Sequence, residues 1–167
     1  MPLEALEVCR LPDPILFSPA EPAEPLAVSG LADAMVELMR ASAGCVGVAA
    51  PQVGHAVRLF VLDTTGHKKA NSANGLVVMV NPMVLEREGS DTAREGCLSV
   101  PDLTGDVPRA TRIVVSGVDP RSGVTRVVEC DAFEARAMQH ELDHLDGLLF
   151  LDRVRTPRAL HGRKRYR

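Results

Sequence analysis

The residues with the most distinct chemistry lie together in Gln139-His140-Glu141-Leu142-Asp143-His144. On an α-helix, positions i and i+4 share a face, so His140 and His144 can each direct a ring nitrogen at one ion while Glu141 stands beside it. Two imidazoles and a carboxylate so arranged suit metal-assisted hydrolysis: the ion makes bound water acidic, with a pKa near ~7, and the carboxylate moves its proton.

The flanking residues predict the helix that this pattern needs. Asp131 is a suitable N-cap, Glu134 follows at capping-box spacing, and Phe133, Ala137, His140 and His144 recur at helical intervals before Gly147 supplies a stop. A hydrolytic metal takes three protein ligands and keeps one position open. The third ligand must come from another segment: Cys9, Cys45, Cys97, Cys130 or an acidic side chain. Cys97 lies in Glu95-Gly96-Cys97-Leu98-Ser99-Val100-Pro101, where a glycine allows close backbone approach. The other three cysteines have the apolar or small neighbours of ordinary buried thiols.

Three separated segments then carry a family resemblance. Gly44-Cys45-Val46-Gly47-Val48-Ala49-Ala50-Pro51-Gln52, Glu95-Gly96-Cys97-Leu98-Ser99 and Gln139-His140-Glu141-Leu142-Asp143-His144 resemble, in order and approximate spacing, the signature segments of peptide deformylases. Leu11-Pro12-Asp13-Pro14, Asn81-Pro82 and Val107-Pro108-Arg109 extend the similarity over almost the whole chain.

The resemblance implies that Cys97, His140 and His144 bind one divalent metal per chain, Fe(II) physiologically, with Zn, Ni or Co as other occupants. It implies that Glu141 is the general base and acid, and that Gln52 and the Leu98 backbone N–H stabilise the oxyanion. The reaction it implies is removal of the N-formyl group from N-formylmethionine at the amino terminus of new peptides, releasing formate. Val46, Gly47, Glu95 and Gly96 would line the substrate path, Val46-Gly47 pairing with an extended peptide. Phe133 and Ala137 would contribute to an apolar methionine pocket, with Met138 a further candidate. The resemblance also implies strands wrapped around the His-Glu helix.

Some positions depart from the family pattern. Cys45 replaces the usual glycine and Val48 the usual leucine, while Phe17 stands where a basic residue is common. Leu103-Thr104-Gly105 occupies a stretch that often carries a substrate-holding arginine, which would either weaken peptide binding or leave that task to Arg109 or Arg136.

Composition places the chain among globular enzymes. Its 167 residues suit one domain; 46% hydrophobic and 25% charged content is ordinary, and 3% aromatic content without tryptophan means an aliphatic core poorly equipped to stack on nucleic acid. No run is long enough for a membrane helix and the N-terminal residues carry no targeting pattern, so a cytoplasmic protein is expected, without DNA or membrane partners and as a monomer or weak dimer. Cysteine separations of 36, 52 and 33 residues suggest no disulfide framework.

The net charge of −3 conceals an asymmetry: seven of the 19 basic residues and no acidic ones lie in 153–167, leaving 12 against 22 over 1–152. The expected organisation is a catalytic domain over 1–152 and a flexible basic tail over 153–167 whose charge would attract phosphate, and the family resemblance implies weak contact of that tail with the ribosome.

Periodicity gives an α+β domain with mainly antiparallel pairing. A helix over Ser29–Met39 is predicted with Ser29 as N-cap and Leu31, Met35 and Leu38 on one face. Strands are predicted at Arg58–Leu62, Leu76–Asn81, Thr111–Val118 and Val124–Cys130, the last two forming a hairpin across Asp119-Pro120-Arg121-Ser122-Gly123. The segment between Asp63 and Gly75 is expected to be a mobile loop with His67 solvated. Two other functions share some of these features. A metalloendopeptidase would need a further ligand downstream of His144, where only Asp146, Asp152 and His161 stand, and a binding protein would keep the fold without turnover.

Overall fold

The computed structural model describes residues 5–163. Two apolar runs organise it, because each is long enough to be buried on both faces. Helix α1 (Ser29–Ala41) precedes strand β1 (Gly47–Ala49), and the runs themselves form β2 (Leu59–Leu62) and the start of β3 (Val77–Glu88). Side chains alternate across a strand. Leu59, Val61, Val78 and Val80 therefore meet Ala32, Met35, Val36 and Met39 of α1 on one side of the sheet. Phe60, Leu62, Val77 and Met79 face the other way, onto Ala135, Met138, Leu142 and Leu145 of helix α2 (Ala132–Leu145).

Strand β4 (Asp91–Cys97), β5 (Val100–Arg109), β6 (Arg112–Val118) and β7 (Thr125–Asp131) lie between β3 and α2, and the short helix α3 (Phe150–Arg153) and β8 (Leu160–Gly162) follow. The larger sheet has the order β1-β2-β3-β6-β7 and the smaller β4-β5-β8, with antiparallel pairing throughout. Leu16, Cys97, Val100, Val107, Leu149 and Phe150 form the core of the smaller sheet.

Several expectations are met. The four strands predicted from β-branched runs correspond to β2, β3, β6 and β7. The β6–β7 turn is held by the Asp119 carboxylate, which accepts from the amides of Arg121 and Ser122 at 2.7 and 3.2 Å. Helix α2 ends before Gly147, whose φ of 76° suits glycine and whose missing side chain admits the Phe17–Ser18 backbone; an added Cβ would lie 2.8 Å from Ser18 C.

Others are corrected. Strand β3 continues through Pro82 to Glu88, because Asn81 adopts φ 51° at a register shift and the strand resumes beyond it; the Asn81 amide holds both backbone groups of Ala23. Ser29 is the first helical residue, not the cap: a 3-10 turn over Leu26–Val28 leads straight into α1, and the Ser29 amide donates to Leu26 O. Asp131 precedes α2, but its carboxylate accepts from Ser72, and Glu134 turns to Asn74 and Thr64 instead of completing a capping box. These contacts also tie down the 63–75 loop, so it is not an untethered segment. The described part of the expected tail also makes contacts with the rest of the chain. Residues 160–162 pair with Leu103–Gly105 as β8 and Arg153 donates to Asp143, contacts that a count of charge does not reveal. Lys164, Arg165 and Arg167 lie outside the described residues.

Candidate metal centre

Helix α2 floors a cleft of about 570 Å³. One wall is residues 43–47, leading into β1; the other is residues 94–98, the end of β4 and its turn. Strands β1 and β4 are each the end strand of their sheet, so both offer an unpaired edge.

Helical spacing puts His140 and His144 on one face of α2, their ring centroids 5.0 Å apart; His140 lines the cleft, His144 is buried, and the β4 turn brings Cys97 to meet them. One ligand atom from each of Cys97, His140 and His144 lies within 4.8 Å of the others. Cys97 Sγ is 3.3 Å from His144 Nε2. Among the described residues this is the group of Cys, His and acidic side chains able to hold an ion.

The electrostatics favour the ligating form of Cys97, the thiolate, whereas, against burial, the same thiolate and Glu95 raise His140, so an ion binding there displaces a proton from that ring. Burial opposes ionisation of Cys97, yet the adjoining imidazoles of His144 and His140 hold its thiol well below the usual range. Burial likewise works to raise the Glu95 carboxyl, but hydrogen bonds from Arg109 and His140 outweigh it and bring it down to about 2. Glu95 Oε2 lies 3.0 Å from His140 Nδ1, which orients the ring and leaves Nε2 for the site. His144 Nδ1 is buried and has no hydrogen-bond partner among the described residues, so none of their carboxylates fixes that ring as Glu95 fixes His140.

Glu141 is buried, and burial pushes its carboxyl up to about 7 against the pull of His140 and His144. Its Oε2 has no hydrogen-bond partner among the described residues. A buried carboxylate oxygen left unpaired is costly, and a bound water would relieve that cost. Gly47 makes room for the group, since a Cβ there would lie 2.6 Å from Glu141 Oε1.

Gln52 is oriented by its neighbours. Its Oε1 accepts from the Ala49 amide at 3.0 Å, which turns Nε2 toward Cys97 Sγ at 3.4 Å and Ser99 Oγ at 3.2 Å. Leu98 occupies the β4–β5 turn at the cleft. Burial, followed by the charge of Glu141, pushes the Cys45 thiol up to about 12, and its Sγ faces Gly47 O at 3.3 Å. Cys45 is thus a neutral wall residue. The donor set of one thiolate and two imidazoles, with an unpaired carboxylate beside it, fits a single divalent ion of borderline softness.

The expected substrate residues divide. Val46, Gly47, Gly96, Phe133 and Ala137 line the cleft, while Met138 points into the core. Glu95 touches the cleft but is committed elsewhere: both its oxygens accept from Arg109, at 2.8 and 2.9 Å, and Arg136 adds a contact at 3.1 Å. It is therefore a positioning residue for His140. Arg109 also donates to Asp143, and Arg136 to Val107 O and Asp91 O, so neither guanidinium is free to hold substrate.

Four contributors escaped the sequence reading. His67 stacks on Phe133 with ring centroids 4.3 Å apart and lines the cleft instead of standing in solvent. Ser99 accepts from Gln52, Asp143 anchors Arg109, and Arg163 enters the cleft from the chain's far end. Only Ser99 and Asp143 carried a signal, through their places inside recognised motifs.

With this geometry established, comparison with known proteins gives a consistent result. The family model described as polypeptide deformylase matches residues 5–159. A peptide deformylase of Halothermothrix orenii is 42% identical over 154 residues, covering 91% of this chain and 95% of that one. The crystal structure of peptide deformylase from Thermotoga maritima superposes with a TM-score of 0.82 at 34% identity, covering 92% of this chain and all of that one. A Met-Ala-Ser-bound peptide deformylase from Acinetobacter baumannii gives 0.81 at 36% identity, covering 90% and 98%.

Proposed function

The chain belongs to the peptide deformylase family, whose members remove the N-formyl group from nascent peptides, and from that premise we propose how its own residues divide the work. Cys97, His140 and His144 hold one divalent ion, Fe(II) in the cell, with Zn, Ni and Co accepted by the same donors. When bound, the ion supplies Lewis-acid activation of water at neutral pH.

Glu141 takes the proton of the attacking water at its unpaired Oε2 and delivers it to the departing amine nitrogen. The Gln52 Nε2 group and the Leu98 N–H meet the charge that develops on the formyl oxygen, a contribution of typically about 10²–10³ in rate for one such donor. Gln52 is suited to this because its other amide atom is occupied by Ala49. The peptide lies along the unpaired β1 edge near Val46-Gly47, so main-chain hydrogen bonds accept varied sequences after methionine. The methionine side chain rests against Phe133 and Ala137, with His67 stacked behind.

Among the described residues no helix is long and apolar enough to cross a membrane. We place the enzyme in the cytoplasm as a monomer or weak dimer, its residues up to 152 carrying the chemistry and the basic residues beyond making weak ribosome contact.

The observation that carries this reading is the convergence of Cys97, His140 and His144 beside the unpartnered Glu141 oxygen. Its test is formate release from formyl-Met-Ala-Ser by anaerobically prepared protein, before and after chelation and with Fe(II) restored. Release that disappears with the metal and returns with it supports the reading. No release from fully metallated protein would favour a binding role.

A further inference from the structure

The acidic groups of the cleft are spent inside it. Of the side chains lining it, the carboxylates are Glu95 and Glu141; the first is paired with Arg109 and Arg136 and the second is buried. The cations on the same lining are not balanced in that way. Lys68 and Lys69, from the loop after β2, are exposed and make no ion pair among the described residues. Arg163 makes none either: it follows β8, whose pairing with Leu103–Gly105 carries it to the β4 wall, where its Nη1 lies 3.4 Å from Cys97 O. Arg94 is partly satisfied by Asp106 at 3.4 Å.

Two segments more than 90 residues apart in the chain thus deliver uncompensated positive charge to one cleft. A charged rim of this kind biases encounter and selection more than it deepens binding. We infer that Lys68, Lys69 and Arg163 select, among formylated peptides, those carrying acidic side chains after the methionine. The inference rests on the deformylase reading and adds a substrate preference to it.

The test is the ratio of kcat/KM for formyl-Met-Ala-Glu-Glu-amide to that for formyl-Met-Ala-Lys-Lys-amide, with the metal-loaded full chain. Amidation removes the terminal carboxylate that would otherwise attract the rim in every short peptide. The expected ratio is about five or more at low ionic strength, as one or two exposed charge pairs supply, and it falls toward one in high salt. In Lys68→Gln/Lys69→Gln and in Arg163→Gln the low-salt ratio falls as well. Being a ratio, it is insensitive to loss of folded protein. A parent ratio of one or below overturns the inference, as does one that the variants leave unchanged. Equal salt dependence for both peptides overturns it too, showing that the rim attracts some other anion. Turnover of both peptides at a ratio of one leaves the deformylase reading intact, whereas turnover of neither would count against that reading.

Discussion

Glu141 owes its position to the side chain that Gly47 lacks. A methyl group there would stand 2.6 Å from Oε1, so Gly47→Ala must displace the carboxylate while leaving Cys97, His140 and His144 untouched. Misplacing a reacting group by about 1 Å can cost about 10²-fold, and we expect a loss of that order in formate release with one metal per chain retained. Turnover near the parent level would show that Glu141 tolerates displacement. The same residues show what a sequence reveals at this scale. His140, Glu141 and His144 were legible because one helix sets their relation, and Cys97 and Gln52 because short motifs surround them. The role of Glu95 was not, because its partners Arg109, Arg136 and His140 lie 14, 41 and 45 positions away and meet it only in the fold. His67 was misjudged for a similar reason: its neighbour Phe133 comes from another element.

Arg109 links three elements, reaching from β5 to Glu95 on β4 and Asp143 on α2. Burial alone would favour its neutral form, but hydrogen bonding to Glu95 keeps it charged. Removing one member of such a buried group leaves the others uncompensated, at about 3–5 kcal/mol. We therefore expect Arg109→Met to lower unfolding stability in denaturant by that amount; a change below about 1 kcal/mol would mean the network is not structural. Elements built on apolar periodicity were visible from sequence: α1, β2, β6, β7 and the first half of β3 each bury a patterned face. Strands β4, β5 and β8 were not. Asp91–Cys97 mixes charge, glycine and threonine, and is a strand because β5 pairs with it along its length. Local composition carries no trace of that partner.

At the scale of the whole molecule, two sheets present their end strands on either side of α2, and the cleft between them is lined by His140 on its floor and Cys97 on one wall. The α+β class and single-domain architecture followed from the strand and helix patterns together with the motif resemblance. The return of the chain's end to the cleft through β8 did not, because the excess charge of 153–167 masks a three-residue pairing. The central claim is that Glu141 moves the proton while Cys97, His140 and His144 hold the ion. The most direct measurement is formate release and bound metal, determined on the same samples, for the parent chain and Glu141→Gln. Glu141→Gln is expected to keep its metal content while turnover falls by about 10²–10⁴, the range of positioned acid–base catalysis. A variant that keeps its metal and works at nearly the parent rate would contradict it.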